Sequence, residues 1–327
     1  MSTTRLRIGV LGCADIARRR TLPAIVANPD VELAAVASRD AEKARRFAEW
    51  FGGEPVVGYE RLLARSDVDA VYLPLPAGLH ARWIEAALRA GKHVLSEKPL
   101  TTSRDDTERL VKLADSLGLA LLENFMFLVH SQHVTVRHLL DTGTIGELRT
   151  LTAQFAFPPT PGHNRYVPES GGGALTDIGV YPIRTAMLFL GEELEVVGST
   201  LRVDEQHGVD VSGGVLLRRP DGVTAHLTFG MEHSYRSHYE LWGSSGRVAA
   251  RWAYTPPPSH PPVLRIERQD RVEELTLAPD DQFSNVIAAF AARVRDDVPS
   301  PLEGQSLVTQ ADLVDRVRRH ALVAPPF

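Results

Sequence analysis

Between Arg7 and Leu122 the chain repeats one pattern, a short apolar run, a turn and then an amphipathic stretch. The runs are Arg7–Leu11, Val31–Ala37, Pro55–Val57, Asp69–Leu73, Lys92–Leu95 and Leu119–Leu122, and the helical stretches between them include Cys13–Ala27, Ala41–Phe51, Glu60–Ala64 and Ser103–Leu117. Strands separated by helices cannot form hairpins, so the pattern predicts a parallel sheet with helices on both faces, an α/β fold. The first half is therefore expected to be one domain, 1–122.

The first turn of this unit carries Gly12-Cys13-Ala14-Asp15-Ile16-Ala17. Measured against G-x-G-x-x-G it keeps one glycine and puts alanines at the other two places. A tight turn in any α/β protein starts with such a glycine. The strand-to-helix placement adds free backbone N–H groups and a helix N-terminus, which suit a pyrophosphate. The second run ends in Ser38-Arg39-Asp40, without the acidic residue that usually meets a ribose 2′-hydroxyl. A hydroxyl followed by a guanidinium suits a 2′-phosphate, which favours NADPH over NADH and reduction as the working direction. Two prolines in Leu73-Pro74-Leu75-Pro76 give a stiff rim after the fourth run, and His80 opens the helix that follows.

Lys98 is the residue on which the chemistry is expected to turn. It follows a strand-like run, and Pro99 keeps it out of helical geometry, so its ammonium is placed at the carboxyl end of a strand, where open α/β sheets bind ligands. The plain alternative is a surface lysine in a turn. Against it, lysine is scarce: of 36 Lys+Arg only Lys43, Lys92, Lys98 and Lys112 are lysine. A compact amine kept beside Glu97 and Pro99 points to work that guanidinium does badly, sharing a proton.

From residue 123 the pattern changes. A helix around Val134–Leu140 precedes alternating runs at 147–157, 195–203, 209–217, 224–231 and 239–241, with turn signals at Arg219-Pro220-Asp221-Gly222 and Gly243-Ser244-Ser245-Gly246. Thr255–Pro262 is too rich in proline for regular structure, and 281–295 and 307–322 read as closing helices. The second domain, 123–327, is thus expected to be α+β with a large, mostly antiparallel open sheet. One sheet face would be a subunit contact, giving a homo-oligomer, dimer or tetramer. Gly171-Gly172-Gly173 permits close backbone approach to a ligand, and a helix is expected to begin near Asp177, capped by Thr176 or Asp177. Asp177 and Tyr181, four apart, share a face of it.

A length of 327 residues suits two domains, and a net charge of -5 leaves no basic excess for phosphate backbones, which argues against nucleic acid. The single cysteine, Cys13, excludes an intrachain disulfide and a cysteine metal cluster, so no metal is expected. With no long apolar segment at the start, neither export nor a membrane span is expected, and the cytoplasm fits.

Taken together, Gly12–Ala17, Glu97-Lys98-Pro99, Asn164-Arg165-Tyr166 and Gly171–Gly179 resemble the Gfo/Idh/MocA family of oxidoreductases, typified by glucose-fructose oxidoreductase and inositol dehydrogenase, almost end to end. Two departures stand out, a tyrosine at 181 where many members have histidine, and Pro76-Ala77 where many have Pro-Asn. Tyr181, Ser38-Arg39 and the Gly12 loop look most like the actinomycete NDP-hexose 3-ketoreductases that act on dTDP-linked 3-keto-deoxysugars. The resemblance implies a Rossmann domain, a sheet domain, a cis Lys98–Pro99 bond and NADPH-dependent reduction of a keto sugar. Tyr181 would give the proton, Lys98 would stabilise the phenolate and Asp177 would orient Lys98 or the substrate. Cofactor contacts are expected from Gly12, Cys13, Ala14, Asp15, Ile16, Ser38, Arg39, Tyr59, Leu73, Leu75, His80, Glu97, Lys98, Pro99, Asn124 and Arg165. A nucleotide-sugar substrate would need a basic, aromatic patch, for which Arg236, His238, Arg247, Trp252 and Tyr254 are the candidates. The rival readings are an NAD(P)-dependent dehydrogenase of a free sugar, polyol or dihydrodiol, and a dinucleotide-binding regulator without catalysis.

Overall fold

The structure, a computed structural model, describes residues 5–324. It divides into two compact units, Met1–Met126 with Gln282–Val308, and Phe127–Asp281 with Thr309–Phe327. This differs from a single cut at residue 122, because a later stretch of chain returns to the first unit.

In the first unit the strands and helices alternate as β1 (Leu6–Leu11), α1 (Leu22–Ala27), β2 (Val31–Ser38), α2 (Ala41–Phe51), β3 (Glu54–Val57), α3 (Tyr59–Leu63), β4 (Ala70–Leu73), α4 (His80–Arg89), β5 (His93–Glu97), α5 (Arg104–Leu117) and β6 (Leu121–Asn124). All six strands pair in parallel in the order β3-β2-β1-β4-β5-β6, the doubly wound arrangement the alternation predicts. Local chemistry sets the ends. Asp40 caps α2 by accepting from the Glu42 and Lys43 amides, and Ser103 caps α5, which ends at Gly118 in the left-handed region. Ile8, Val10, Val71 and Val94 are fully buried at the sheet centre.

The second unit contains α6 (Ser131–Asp141), β7 (Leu148–Ala156), α7 (Val180–Leu190), β8 (Glu195–Asp204), β9 (Val209–Arg218), β10 (Thr224–Gly230), β11 (Arg236–Gly243), β12 (Arg247–Arg251), β13 (Val263–Arg268) and β14 (Arg271–Thr276). After it the chain forms α8 (Gln282–Asp296) in the first unit, then α9 (Gln305–His320) and β15 (Ala321–Ala324). The nine-stranded sheet runs β14-β13-β12-β11-β7-β10-β9-β8-β15 and is antiparallel except at β7/β10 and β8/β15. Its side chains alternate. Leu151, Ala153, Phe155, Tyr239 and Leu241 are buried, and Tyr239 meets His133 of α6 and Phe189 of α7, so this face is the one the helices cover. The opposite face leaves Trp242 and Val197 exposed.

Candidate active site

In the first unit, Gly12 adopts φ +125°, and a Cβ there would lie 2.8 Å from Leu75 Cδ2. Only glycine turns the chain here while packing under the Leu75 rim. The turn leads into a π-helical segment, Ala17–Thr21, before α1 begins, a widened helical turn of the kind often found at functional sites. Asp15 pairs with Arg18 at 2.7 Å and also with Arg19, and these guanidiniums hold its carboxyl below the usual range. Burial pushes the Cys13 thiol up to about 11, so it stays protonated and acts as a small apolar group.

At the end of β2, Ser38 Oγ accepts from the Asp40 amide at 3.1 Å and the Gly58 amide donates to the Ser38 carbonyl at 2.9 Å. Gly58 in turn leads Tyr59, whose ring meets Trp83 edge-on at 4.9 Å. Burial raises the Tyr59 phenol, and the nearby Arg39 guanidinium opposes this. Ser38, Arg39 and Tyr59 thus gather at one strand end, with the Arg39 side chain exposed.

Lys98 directly follows β5, and its bond to Pro99 is cis. Every neighbour of the lysine in this turn is pinned by a buried polar group. The Glu97 carboxyl accepts from Tyr72 Oη and from Asn124 Nδ2, both at 2.7 Å, and Tyr72 Oη is joined to Thr21 Oγ1 at 2.9 Å. Burial raises the Glu97 pKa, against which Tyr72 and then Lys98 act. The Leu100 amide donates to Glu123 Oε1 at 2.6 Å. His80 closes the set, with Nδ1 2.8 Å from the Pro99 carbonyl and Nε2 2.7 Å from the Leu75 carbonyl. Carbonyls only accept, so a neutral imidazole serves one of them and an imidazolium both. Burial lowers the His80 pKa, the carbonyls oppose it, and Lys98 lowers it further.

Four residues of the expected cofactor set have buried side chains. His80 is 1% exposed with both nitrogens turned to backbone carbonyls, and Leu73 is wholly buried in the core. Glu97 and Asn124 hold each other beneath the lysine. The side chains of His80, Glu97 and Asn124 hold the turn, and that of Leu73 packs in the core.

In the second unit, Arg165 and Asp177 form a half-buried ion pair, Nε to Oδ2 at 3.1 Å, with the guanidinium 4.3 Å from the Phe157 ring centre. The arginine expected on a phosphate is therefore engaged with the carboxylate expected to do the orienting. Tyr181 is 3% exposed, with ring centres of Phe155 at 4.9 Å, Tyr254 at 5.5 Å and Phe127 at 5.9 Å. Such pairs each add about 0.5–1.5 kcal/mol beyond area burial, enough together to fix the ring.

Asp177 and Tyr181 do not sit on a helix that begins near Asp177. The chain enters a π-helical segment at Leu175–Gly179 that runs directly into α7. Neither expected cap acts as one: Thr176 Oγ1 accepts from Arg318 Nη2 at 3.2 Å, and Asp177 is on Arg165. The free Leu175 amide instead donates to Asp210 Oδ2 at 2.6 Å, from β9. Two of the three glycines are closely hemmed in by the protein itself. A Cβ at Gly172 would lie 2.5 Å from the Arg165 carbonyl oxygen, and one at Gly173, φ +123°, would lie 2.4 Å from Asp210 Oδ1. Both leave room that a side chain would fill.

The suggested nucleotide patch is divided. Tyr254 is fully buried in the Tyr181 cluster, Arg247 is bound to Glu267, and Arg236 Nε donates to Gln154 at 2.8 Å. Trp252 lies between Tyr235 at 5.1 Å and His260 at 5.5 Å, beside a cavity of about 460 Å³ whose walls include Glu240, Glu267 and Glu274 as well as Arg251 and Arg265.

Residues 6–125 match the oxidoreductase family with an NAD-binding Rossmann fold, and residues 133–249 match the GFO/IDH/MocA C-terminal domain. The chain belongs to the GFO/IDH/MocA oxidoreductase family. It is 55% identical over 317 residues, 97% of this chain and 96% of the relative, to dTDP-3,4-didehydro-2,6-dideoxy-alpha-D-glucose 3-reductase of Actinomadura kijaniata. The Streptomyces antibioticus reductase of the same name is 53% identical over 326 residues, 99% of each chain. Among solved structures, the 3-ketoreductase KijD10 of Actinomadura kijaniata, in complex with NADP and TDP-benzene, superposes with a TM-score of 0.97 at 54% identity, covering 99% of this chain and 100% of that one.

Proposed function

We propose that the protein is an NADPH-dependent oxidoreductase that reduces the 3-keto group of a dTDP-linked 3,4-diketo-2,6-dideoxyhexose, a step in making deoxysugars for antibiotics. The observation that carries this reading is identity above half, over nearly the whole chain, to reductases of that name. The dinucleotide fits the residues present. Gly12 leaves room for a turn that only glycine makes, and Ser38 and Arg39 offer a hydroxyl and an exposed guanidinium at the β2 end for a 2′-phosphate. Gly12, Cys13, Ala14, Asp15 and Ile16 would hold the pyrophosphate by backbone, with Tyr59, Leu75 and Pro99 lining the site.

NADPH, when bound, supplies hydride to the sugar carbonyl. Tyr181 gives the proton to the developing alkoxide; a phenol with an ordinary pKa of about 10 does this well only if its anion is stabilised. Lys98 provides that positive charge and polarises the carbonyl. The buried bonds that hold Glu97, Pro99 and Leu100 keep the lysine in place. Asp177, fixed by Arg165, orients a substrate hydroxyl or the lysine.

The test is NADPH consumption with the dTDP-linked keto sugar set against free keto hexoses, for the wild type and Tyr181→Phe. Turnover is expected only with the nucleotide sugar, and it should fall about 10²–10⁴-fold in the variant, the usual contribution of a positioned acid. Equal turnover of free hexoses would favour a free-sugar dehydrogenase, and no consumption of NADPH with any keto sugar a regulator. Among the described residues no helix is long and apolar enough to cross a membrane, which accords with work in the cytoplasm. The uncovered sheet face, with Trp242 at 59% exposure, is the proposed contact between copies, and Trp242→Arg is expected to lower the sedimenting mass. An unchanged mass would exclude this face.

A further inference from the structure

Asp210 lies 35 residues beyond Leu175, on a strand that otherwise packs Val209, Val211 and Val215 into the core. The pairing of β8 with β9 slips at this point. Arg202 faces Ser212 but Val203 faces Asp210, so Val211 is an extra residue in β9. A bulge of this kind breaks strict alternation and re-aims the neighbouring side chain. The carboxylate is thereby brought to the Leu175 amide at 2.6 Å, at the first residue of the π-helical segment that carries Asp177 and leads into Tyr181. Gly173 completes the contact, since its φ of +123° and lack of a side chain leave the space that Asp210 Oδ1 fills. The same segment is fixed by the Gly173 amide on the Arg165 carbonyl at 2.9 Å and by Arg318 on Thr176.

We propose that Asp210 is a positioning residue for the proposed reduction. By holding the Leu175 amide it sets the height and rotation of the widened turn, and so places the Asp177 carboxylate and the Tyr181 phenol. This rests on the catalytic reading of those two residues given above. A buried carboxylate is costly to keep, and burial does raise the Asp210 pKa against the opposing Leu175 amide and Arg318. A neutral acceptor in the same place would serve a purely structural cap as well, so retention of the charge is not what the role needs; the acceptor atom is.

The experiment compares Asp210→Ala, Asp210→Asn and Gly173→Ala with the wild type by two readouts, steady-state kinetics and amide hydrogen exchange across 173–181. For Asp210→Ala, exchange of the Leu175–Tyr181 amides should quicken at least tenfold, and kcat should fall about tenfold or more while KM for NADPH stays within about twofold, since small misplacements cost rate before binding. Asp210→Asn, which keeps an acceptor, should restore most of both. Gly173→Ala, which crowds Asp210 from the other side, should reproduce the alanine variant, and it carries the test if Asp210→Ala does not fold. Wild-type exchange in the alanine variant would overturn the proposal, as would faster exchange with unchanged kcat. If the wild type lacks the reductase activity, the reading of function fails by itself, and the exchange readout still decides whether Asp210 holds the segment.

Discussion

At the scale of single residues, the histidines show most directly how burial governs chemistry here. His133 is 3% exposed; its Nε2 meets the Ala253 carbonyl at 3.0 Å and its Nδ1 meets Tyr239 Oη at 2.9 Å, an arrangement a neutral ring satisfies. Burial, and then His130, pushes it down to about 3. A ring that stays neutral in the folded chain but takes a proton near 6.5 when unfolded adds stability that is complete above that pH and is lost as pH falls toward 3. At pH 5 the loss is about 2 kcal/mol, from 1.36 kcal/mol per pH unit. Denaturant unfolding at pH 7.5 and 5.0 should show this difference in the wild type and a smaller one in His133→Gln; equal slopes would count against it. The sequence named Lys98, Asp177 and Tyr181 because each type stands at a telling position, a strand end or one helix face. It could not show that Glu97, Asn124 and His80 turn inward, because the partners that hold them, Tyr72 and the Leu75 and Pro99 carbonyls, come together only through tertiary packing. Asp210 escaped for the same reason, and a lone carboxylate in the apolar run Val209–Val215 was its only signal.

At the scale of elements, the β2 end is where cofactor choice should be decided. A hydrogen bond to a charged group contributes about 1.5–3 kcal/mol, so losing one contact to a 2′-phosphate lowers affinity roughly 10–100-fold. Ser38→Asp combined with Arg39→Ser is expected to raise KM for NADPH by that factor and to lower KM for NADH. If NADPH is still preferred to the same degree, the 2′-phosphate is read elsewhere. The six parallel strands were legible because apolar runs and helical stretches alternate without interruption. Less legible were β12, β13 and β14, short strands of which β13 and β14 follow a proline-rich stretch and carry Arg and Glu two apart, Arg265 with Glu267 and Arg271 with Glu273. The tail of the last predicted helix is the strand β15, which pairs with β8, and its four residues carry no pattern of their own. The π-helical segment Ala17–Thr21 lay within a stretch that read simply as helix, and Leu175–Gly179 straddles the point near Asp177 where a helix was expected to begin. A widened turn keeps helical periodicity almost unchanged, so only the backbone reveals it.

At the scale of the whole molecule, the chain does not divide at one point. Gln282–Val308 belongs with Met1–Met126, where α8 packs on α1 and β1, because its apolar face is complementary to the sheet unit built by the first third of the sequence. A linear reading assigns a late helix to the late domain, and only long-range packing reassigns it. The proposed reaction is hydride transfer to a sugar carbonyl, for which Lys98 and Tyr181 are the proposed catalytic residues. The most direct measurement supplies NADPH deuterated at the transferable C4 position and locates the label in the dTDP-sugar product by mass spectrometry and NMR. The account predicts one deuterium at the sugar C3, formed much more slowly by both Lys98→Ala and Tyr181→Phe; deuterium at any other carbon, or formation at the wild-type rate in both variants, would contradict it.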